Sequence, residues 1–241
     1  MSRLRAAMRL DVTVQVRNSL YTIGIGAGLL IAIAISQLAS PSQMWAIVPT
    51  LMLLVVGSST LLYVAGMIIF ERDEGTLSAN IVSPLRTTEY LGSKLITLTA
   101  LATLESFVMI GGALLIMRFS SAITLPNIPI LLVGILAIGV IYTLIGIILI
   151  VRYEKFTDFL MPLAMVAVML QLPFLHFLGW IEHPAFLLIP TSAPTMIMRG
   201  AYVALTGWEW LYALGYTMLS IVGLSRWAYC AFQRHVIMKA G

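Results

Sequence analysis

The chain has 241 residues, of which 60% are hydrophobic and only 10% are charged, and its mean hydropathy is +1.00. Soluble globular domains are about 25% charged, so this composition excludes an ordinary water-facing domain and favours a membrane protein. The single Cys230 excludes a disulfide bond within the chain and a cysteine metal site. The formal net charge is +4, but the basic residues lie between apolar runs, which argues against a nucleic-acid partner.

The first 18 residues predict an amphipathic helix that lies on the inner membrane surface. Leu4, Met8, Val12 and Val16 recur at four-residue spacing, and arginines lie off that stripe. An apolar stripe beside basic residues is typical of an interfacial helix. Residues 1–18 are therefore expected to anchor the chain to lipid, with or without a further contact to a cytoplasmic partner.

Apolar runs of about 20 residues predict transmembrane helices. The predicted fold is an all-α membrane protein with a single transmembrane domain over residues 1–241. We expect six spans, at residues 20–38, 47–70, 95–117, 129–151, 159–181 and 210–225. The last span is short, and we expect it to extend to residue 232 with Arg226 reaching the membrane surface.

The segment at residues 182–207 precedes the last span. Its uncharged part, residues 184–198, contains three prolines, which makes it too short and too broken to cross a bilayer. We therefore expect a re-entrant or interfacial hairpin there, on the external side if six spans cross the bilayer. The alternative is an ordinary external loop.

The basic residues predict the orientation of the spans. Six spans place both termini on one side, and twelve of the 14 Lys and Arg residues then share that side. Only Arg118 and Arg199 lie on the other. The positive-inside rule therefore predicts that both termini and the loop at residues 71–94 are cytoplasmic.

The segment after the second span is a polar island between two apolar runs. It reads FERDEGTLSANIVSPLRTTEYLGSK from Phe70 and holds seven of the 24 charged residues. Gly75 is expected to end the helix of span two, and Thr76 to cap a short new helix. Pro84 should end that helix, and Thr87 should cap the helix of span three.

The order of these residues resembles the loop after the second span in membrane subunits of type-2 ABC exporters. The chain is also similar to small drug-export permeases, including the fluoroquinolone-export type. Two positions depart from the pattern, because Ser78 stands where that family often has an acid and Ser93 separates Gly92 from Lys94. The residues that carry the resemblance are Glu71, Glu74, Gly75, Thr76, Leu77, Ser83, Pro84, Leu85, Glu89 and Lys94.

The resemblance implies that this loop is a coupling helix, which docks on a separate ABC ATPase subunit and transmits its motion. The alternative is a solvated loop that only joins two spans. The residues expected to make the coupling contact are Glu71, Arg72, Glu74, Gly75, Thr76, Leu77, Ile81, Pro84 and Arg86.

The resemblance further implies a multi-pass protein of the prokaryotic inner (plasma) membrane. Two ATPase copies and a second permease, either the same chain or a homologue, are the implied partners. The sequence has no G-x-x-x-x-G-K-S/T motif. ATP and Mg are therefore expected to bind the partner ATPase, with no cofactor bound directly and no enzymatic activity in this chain.

Two features inside the spans predict a path for a small-molecule substrate. Methionines recur on one face of the fifth span, and methionine side chains suit adaptable binding walls. Glu105 lies in the middle of the third span, where a carboxylate costs about 3 kcal/mol on insertion scales and is expected to face protein or water. The predicted path residues are Met161, Met165, Met169, Gln171, His176 and Glu105.

Each of these features has a structural alternative. The methionine face could pack against other spans, and Glu105 could make a structural hydrogen bond. The function that we expect is ATP-driven export of a hydrophobic or amphipathic, drug-like molecule. A proton-coupled secondary transporter that uses Glu105 and a membrane scaffold without transport activity are the alternatives.

Overall fold

The computed structural model describes residues 2–76, 86–119, 125–153 and 156–237, and every secondary-structure element in these ranges is helical. The α-helices are α1 Ser2–Arg17, α2 Leu20–Leu38, α3 Met44–Leu51, α4 Gly57–Asp73, α5 Thr87–Arg118, α6 Ile128–Ile150, α7 Phe156–Gln171, α8 Phe174–Phe177, α9 Ser192–Arg199 and α10 Gly207–Phe232. Short 3₁₀ helices occupy Pro41–Gln43 and Pro184–Leu188, and π-helical turns occupy Met52–Val56 and Gln233–Ile237.

Five helical stretches among the described residues are long and apolar enough to cross a bilayer. They are Leu20–Gln37, Met44–Arg72, Thr87–Arg118, Ile128–Ile150 and Thr157–Phe177. They confirm the prediction of an all-α, multi-pass membrane protein. Helix α10 has 26 residues, enough to span about 39 Å, but its sequence is less apolar, so the sixth span stays a prediction.

Helix α6 lies at the centre of the bundle and packs against α4, α5, α9 and α10. The close contacts of α6 with its neighbours depend on glycine residues. A Cβ added at Gly57 would lie 2.3 Å from the Tyr142 ring, and one added at Gly134 would lie 2.3 Å from Met198. Because neither distance is possible in a packed protein, glycine at these positions lets the neighbouring helices approach closely.

Helices α2 and α5 make the most extensive pair in the bundle. A Cβ added at Gly28 would lie 3.1 Å from the backbone oxygen of Glu105, and one added at Gly112 would lie 2.9 Å from Ala32. Small residues four apart along α2 therefore form the surface on which α5 rests. Helix α2 therefore covers the middle of α5.

Helix α1 packs along α5 with a partly polar face. Asp11, Val14 and Gln15 are buried, whereas Val12 and Val16 of the predicted apolar stripe are exposed. Half of the stripe therefore lies on the outside of the bundle, while Leu4 and Met8 are partly buried. The buried contact with the bundle uses a different face of the same helix. The sequence pattern did not reveal this second face.

Two prolines have different effects on the fifth apolar stretch. Pro162 lies inside α7 without ending it, whereas α7 ends at Gln171 and Pro173 precedes the short α8. Proline has no backbone N–H to donate to a helical hydrogen bond. Near Pro173 some backbone hydrogen bonds span three residues instead of four, as from the Leu175 N–H to the Leu172 carbonyl.

The segment before α10 folds against the bundle as a 3₁₀ helix followed by α9. Residues 192–198 are buried between α3, α6 and α10. The hydroxyls of Tyr212 and Tyr216 donate to the carbonyls of Leu187 and Leu188 at 2.6 and 2.5 Å. These bonds fasten the segment to α10, while its predicted re-entry into the membrane stays a prediction.

Candidate functional site

A buried ion cluster lies at the base of the loop after α4. The Lys94 ammonium of α5 pairs with the carboxylates of Asp11 from α1 and Glu71 from α4. All three residues are at most 3% exposed. The Tyr90 hydroxyl donates to the second oxygen of Glu71 at 2.6 Å, and the Lys94 ammonium lies 5.1 Å from the centre of the Tyr90 ring. Lys94 thus connects α5 to both α1 and α4.

The cluster contains two carboxylates but only one ammonium among the described residues. The second carboxylate oxygen of Asp11 and the side-chain amide of Gln15 are buried without a hydrogen-bond partner among the described residues. A buried charge that loses its partner is strongly unfavourable. The position of α1 is therefore sensitive to any change at Lys94.

The predicted coupling residues around this cluster separate into a buried and an exposed group. Glu71 is buried in the cluster, and the Arg72 guanidinium donates to the carbonyl of Tyr153 after α6. The Thr76 hydroxyl donates to the Glu71 carbonyl at 3.1 Å, closing the end of α4. These contacts fix the direction in which the chain leaves α4.

Glu74, Gly75 and Arg86 are exposed on either side of the loop. Glu74 pairs with Arg17, and Gly75 has φ +69°, a left-handed conformation that glycine adopts at little cost. Gly75 therefore ends α4 as predicted.

The loop itself, residues 77–85, lies outside the described residues, and with it the predicted positions Leu77, Ile81 and Pro84. The prediction that Thr87 caps α5 is wrong by one residue. Arg86 is the N-cap, and its backbone N–H donates to the Glu89 carboxylate at 2.9 Å. The Glu89 side chain reaches back to satisfy a free donor of the first turn, as in a capping box.

Glu105 lies buried between α2, α4 and α5, with 1% of its surface exposed. One carboxylate oxygen accepts hydrogen bonds from Ser59 at 2.8 Å and Tyr63 at 3.1 Å, both on α4. The other oxygen has no partner among the described residues. A Cβ added at Gly24 of α2 would lie 3.8 Å from the bonded oxygen, so α2 covers the carboxyl group. Glu105 thus faces protein.

The predicted path residues of the fifth apolar stretch do not share one environment. Met161, Met165 and Met169 are 73%, 66% and 64% exposed on the outside of the bundle. Gln171 instead donates to the Ser58 hydroxyl at 2.5 Å and to a backbone carbonyl at 3.3 Å. His176 is partly buried, and its Nδ1 has no partner among the described residues.

Helix α4 connects the two sets of polar contacts. Ser58 binds Gln171 of α7, while the next residue, Ser59, binds Glu105 of α5. A cleft of ≈ 280 Å³ lies next to this region, and it is lined mainly by apolar residues of α2 and α3, with Leu54 and Leu178. The three methionines are exposed on the outside of the bundle, whereas Glu105 and Gln171 bind α4, so the structure separates the methionine face from these two residues.

Sequence reasoning missed Asp11, Tyr90, Ser59 and Tyr63. A signal existed for two of them, because Ser59 and Tyr63 are four residues apart and so share a helix face. Asp11 stands alone as an acid among the arginines of α1. Its partner Lys94 is 83 residues away, and no local pattern links the two.

Known proteins match this chain over nearly its whole length. The family model for the fluoroquinolones export permease protein family matches residues 2–240. Fluoroquinolones export permease proteins from two strains of Mycobacterium tuberculosis are each 30% identical over 247 residues, which covers 100% of this chain and 99% of the relative. The chain therefore belongs to the fluoroquinolones export permease protein family.

Proposed function

We propose that this chain is the membrane subunit of an ATP-driven ABC exporter, and that it moves amphipathic, drug-like molecules of the fluoroquinolone kind out of the cytoplasm. The full-length match to the export permease family carries this proposal. The motif residues Glu71 and Lys94 support it, because they bind each other at the base of the loop that resembles a coupling helix.

In this proposal ATP hydrolysis takes place in a separate ATPase subunit. The sequence lacks a phosphate-binding loop of its own. Residues 77–85 dock on the ATPase, with the exposed Glu74 and Arg86 at the edges of the contact, where charges favour encounter with a partner. The buried contacts of Glu71 and Arg72 make the end of α4 rigid, so motion of the loop reaches α1 and α5.

The working unit is a pair of permeases on two ATPase copies in the prokaryotic inner membrane. Helix α10 serves as a sixth span, which brings both termini to the cytoplasmic side. Its length of 26 residues suits this role.

Purification of the tagged full-length chain in mild detergent tests the proposal most directly. We expect an ABC ATPase to co-purify, and fluoroquinolone to stimulate ATP hydrolysis by the reconstituted complex. A purified chain that binds no ATPase, and transports fluoroquinolone without ATP, would overturn the ABC assignment.

Gly75 offers a test of the coupling step. Its φ of +69° is unfavourable for a branched side chain but acceptable for asparagine. We expect Gly75→Val to reduce drug-stimulated ATP hydrolysis much more than expression, while Gly75→Asn keeps most of the stimulation. Equal stimulation in both variants would remove the coupling role from this turn.

A proton-coupled secondary transporter is the second candidate. Glu105 favours it, because one of its carboxylate oxygens is buried without a partner among the described residues and could hold a proton. Transport that follows an imposed proton gradient without ATP, and that Glu105→Gln abolishes, would support this candidate. If Glu105→Gln leaves ATP-driven export unchanged, the carboxyl group is structural.

A further inference from the structure

A second cleft opens where α5, α6 and α10 meet, at the membrane end that holds the ion cluster. Its volume is ≈ 430 Å³, which lies in the range of small-molecule pockets. Apolar side chains of Leu91, Leu95, Leu144 and Ile147 form its walls. The polar lining residues are Thr88, Ser225, Arg226 and Tyr229. The cleft is therefore amphipathic, with one positive charge.

Arg226 is the unusual member of this lining. It is exposed, and it makes no hydrogen bond, ion pair or ring contact within the described ranges. A guanidinium presents five donors and cannot be deprotonated in proteins. Since the described residues supply no acceptor for it, this guanidinium is available to a bound group at the edge of the apolar cleft.

The surroundings of Arg226 add positive charge. The guanidinium of Arg152, just after α6, lies 5.6 Å from the ring of Trp227, the residue that follows Arg226. Arg226 is the charged residue among those that line the cleft. The charge of Arg226 therefore favours an anion at the cleft, while the apolar walls favour a hydrocarbon chain.

We propose that this cleft binds an anionic phospholipid of the inner leaflet. One acyl chain lies along the leucine and isoleucine walls, and the phosphate accepts hydrogen bonds from the Arg226 guanidinium, which matches phosphate geometry in a bidentate contact. The hydroxyls of Thr88, Ser225 and Tyr229 supply further donors. Basic pockets between transmembrane helices on the cytoplasmic side recognise lipid headgroups in this way.

The first experiment compares lipid retention in the full-length chain. The protein is purified, supplied with phosphatidylglycerol or phosphatidylcholine in detergent, and the bound lipid is counted by native mass spectrometry. We expect about five-fold preferential retention of phosphatidylglycerol, which Arg226→Gln removes. Arg234→Gln, the same charge change about two turns further along in an exposed position, should keep the preference.

A second variant tests the apolar space of the cleft independently of the charge of Arg226. A Cβ added at Gly92, which lines the cleft, meets only a Leu4 methyl carbon at 3.9 Å, so Gly92→Leu should fold. Its side chain should occupy acyl space and reduce the retention of both lipids. Inorganic phosphate at millimolar concentration should not displace phosphatidylglycerol, because it gains nothing from the apolar walls.

Cys230 provides an independent reporter, since it lines the cleft, is exposed and is the sole cysteine of the chain. Its maleimide labelling should be slower in phosphatidylglycerol nanodiscs than in phosphatidylcholine nanodiscs, and Arg226→Gln should abolish the difference. Equal loss of lipid in Arg226→Gln and Arg234→Gln would overturn the site, as would displacement by phosphate alone. Efficient Cys230–Cys230 cross-linking would instead assign the face to a second copy of the chain.

Discussion

The Lys94 ammonium joins three helices at one point, because its carboxylate partners come from α1 and α4 while Lys94 belongs to α5. A second ion pair, Arg17 with Glu74, joins α1 to the end of α4 at the surface. The two pairs connect similar parts of the chain but differ in solvent exposure. The Lys94 side chain is 1% exposed, whereas that of Arg17 is 58% exposed.

We therefore predict that Lys94→Met destabilises the fold by about 3–5 kcal/mol, because it leaves two carboxylates buried without a cation. Arg17→Met should cost about 1 kcal/mol or less, since exposed pairs contribute little. Thermal unfolding of both variants in the same detergent measures the difference. Neutralising Asp11 and Glu71 to Asn and Gln in the Lys94→Met background should recover part of the loss. Similar unfolding midpoints for the two single variants would contradict the cluster's structural role.

At the scale of elements, the contact between α4 and α6 depends on Gly57. A Cβ there would overlap the ring of Tyr142, whose hydroxyl donates to the Leu53 carbonyl at 3.2 Å. Gly26 of α2 is a matched control, because a Cβ at that position meets nothing within 4 Å.

Gly57→Ala should therefore destabilise the bundle by about 1–3 kcal/mol, the usual cost of overpacking. Gly26→Ala should be neutral or stabilising by up to about 1 kcal/mol, since alanine favours helix. For a chain of this size each kcal/mol shifts the unfolding midpoint by about 2–4 °C, which a thermal scan resolves. A stable Gly57→Ala variant would mean that α4 and α6 are less closely packed than described.

The methionine face of α7 leads to a different kind of test. Met161, Met165 and Met169 are exposed on the bundle, so tryptophan at these positions should not disturb the fold of a single chain. If the face lines a substrate path with a second permease, each Met→Trp variant should assemble normally but lose most drug-stimulated ATP hydrolysis. Met218→Trp, on the equally exposed face of α10, serves as the control. Unchanged activity in all α7 variants would assign the face to lipid.

The elements of this fold were largely predictable, because long apolar runs leave little choice of structure in a bilayer. The bounds predicted for the first span coincide with α2. The π-helical turn at Met52–Val56 was not predictable in detail, although Pro49, which removes a helix hydrogen bond, precedes it. The coupling of Asp11 to Lys94 was also missed, since it depends on how α1 docks on α5 and not on any local spacing.

At the scale of the whole molecule, orientation decides what each surface meets. In the six-span topology that we propose, twelve of the 14 basic residues share the cytoplasmic side, where anionic lipids attract them. The Lys94 cluster, the exposed Glu74 and Arg86, and the Arg226 cleft all belong to that side. Docking of an ATPase and binding of an inner-leaflet lipid therefore require the same orientation.

We predict that Ser42, in the exposed turn between α2 and α3, faces the outside, and that Ala79, beyond the described end of α4, faces the cytoplasm. Replacing Cys230 by serine leaves a chain without cysteine, into which Ser42→Cys or Ala79→Cys can be introduced one at a time. A membrane-impermeant maleimide should label position 42 in intact cells and position 79 only after permeabilisation. The reverse pattern would invert the topology. It would also place Arg226 in the outer leaflet and separate the loop from any cytoplasmic ATPase, so that the ABC assignment and the assignment of the lipid to the inner leaflet would both fail.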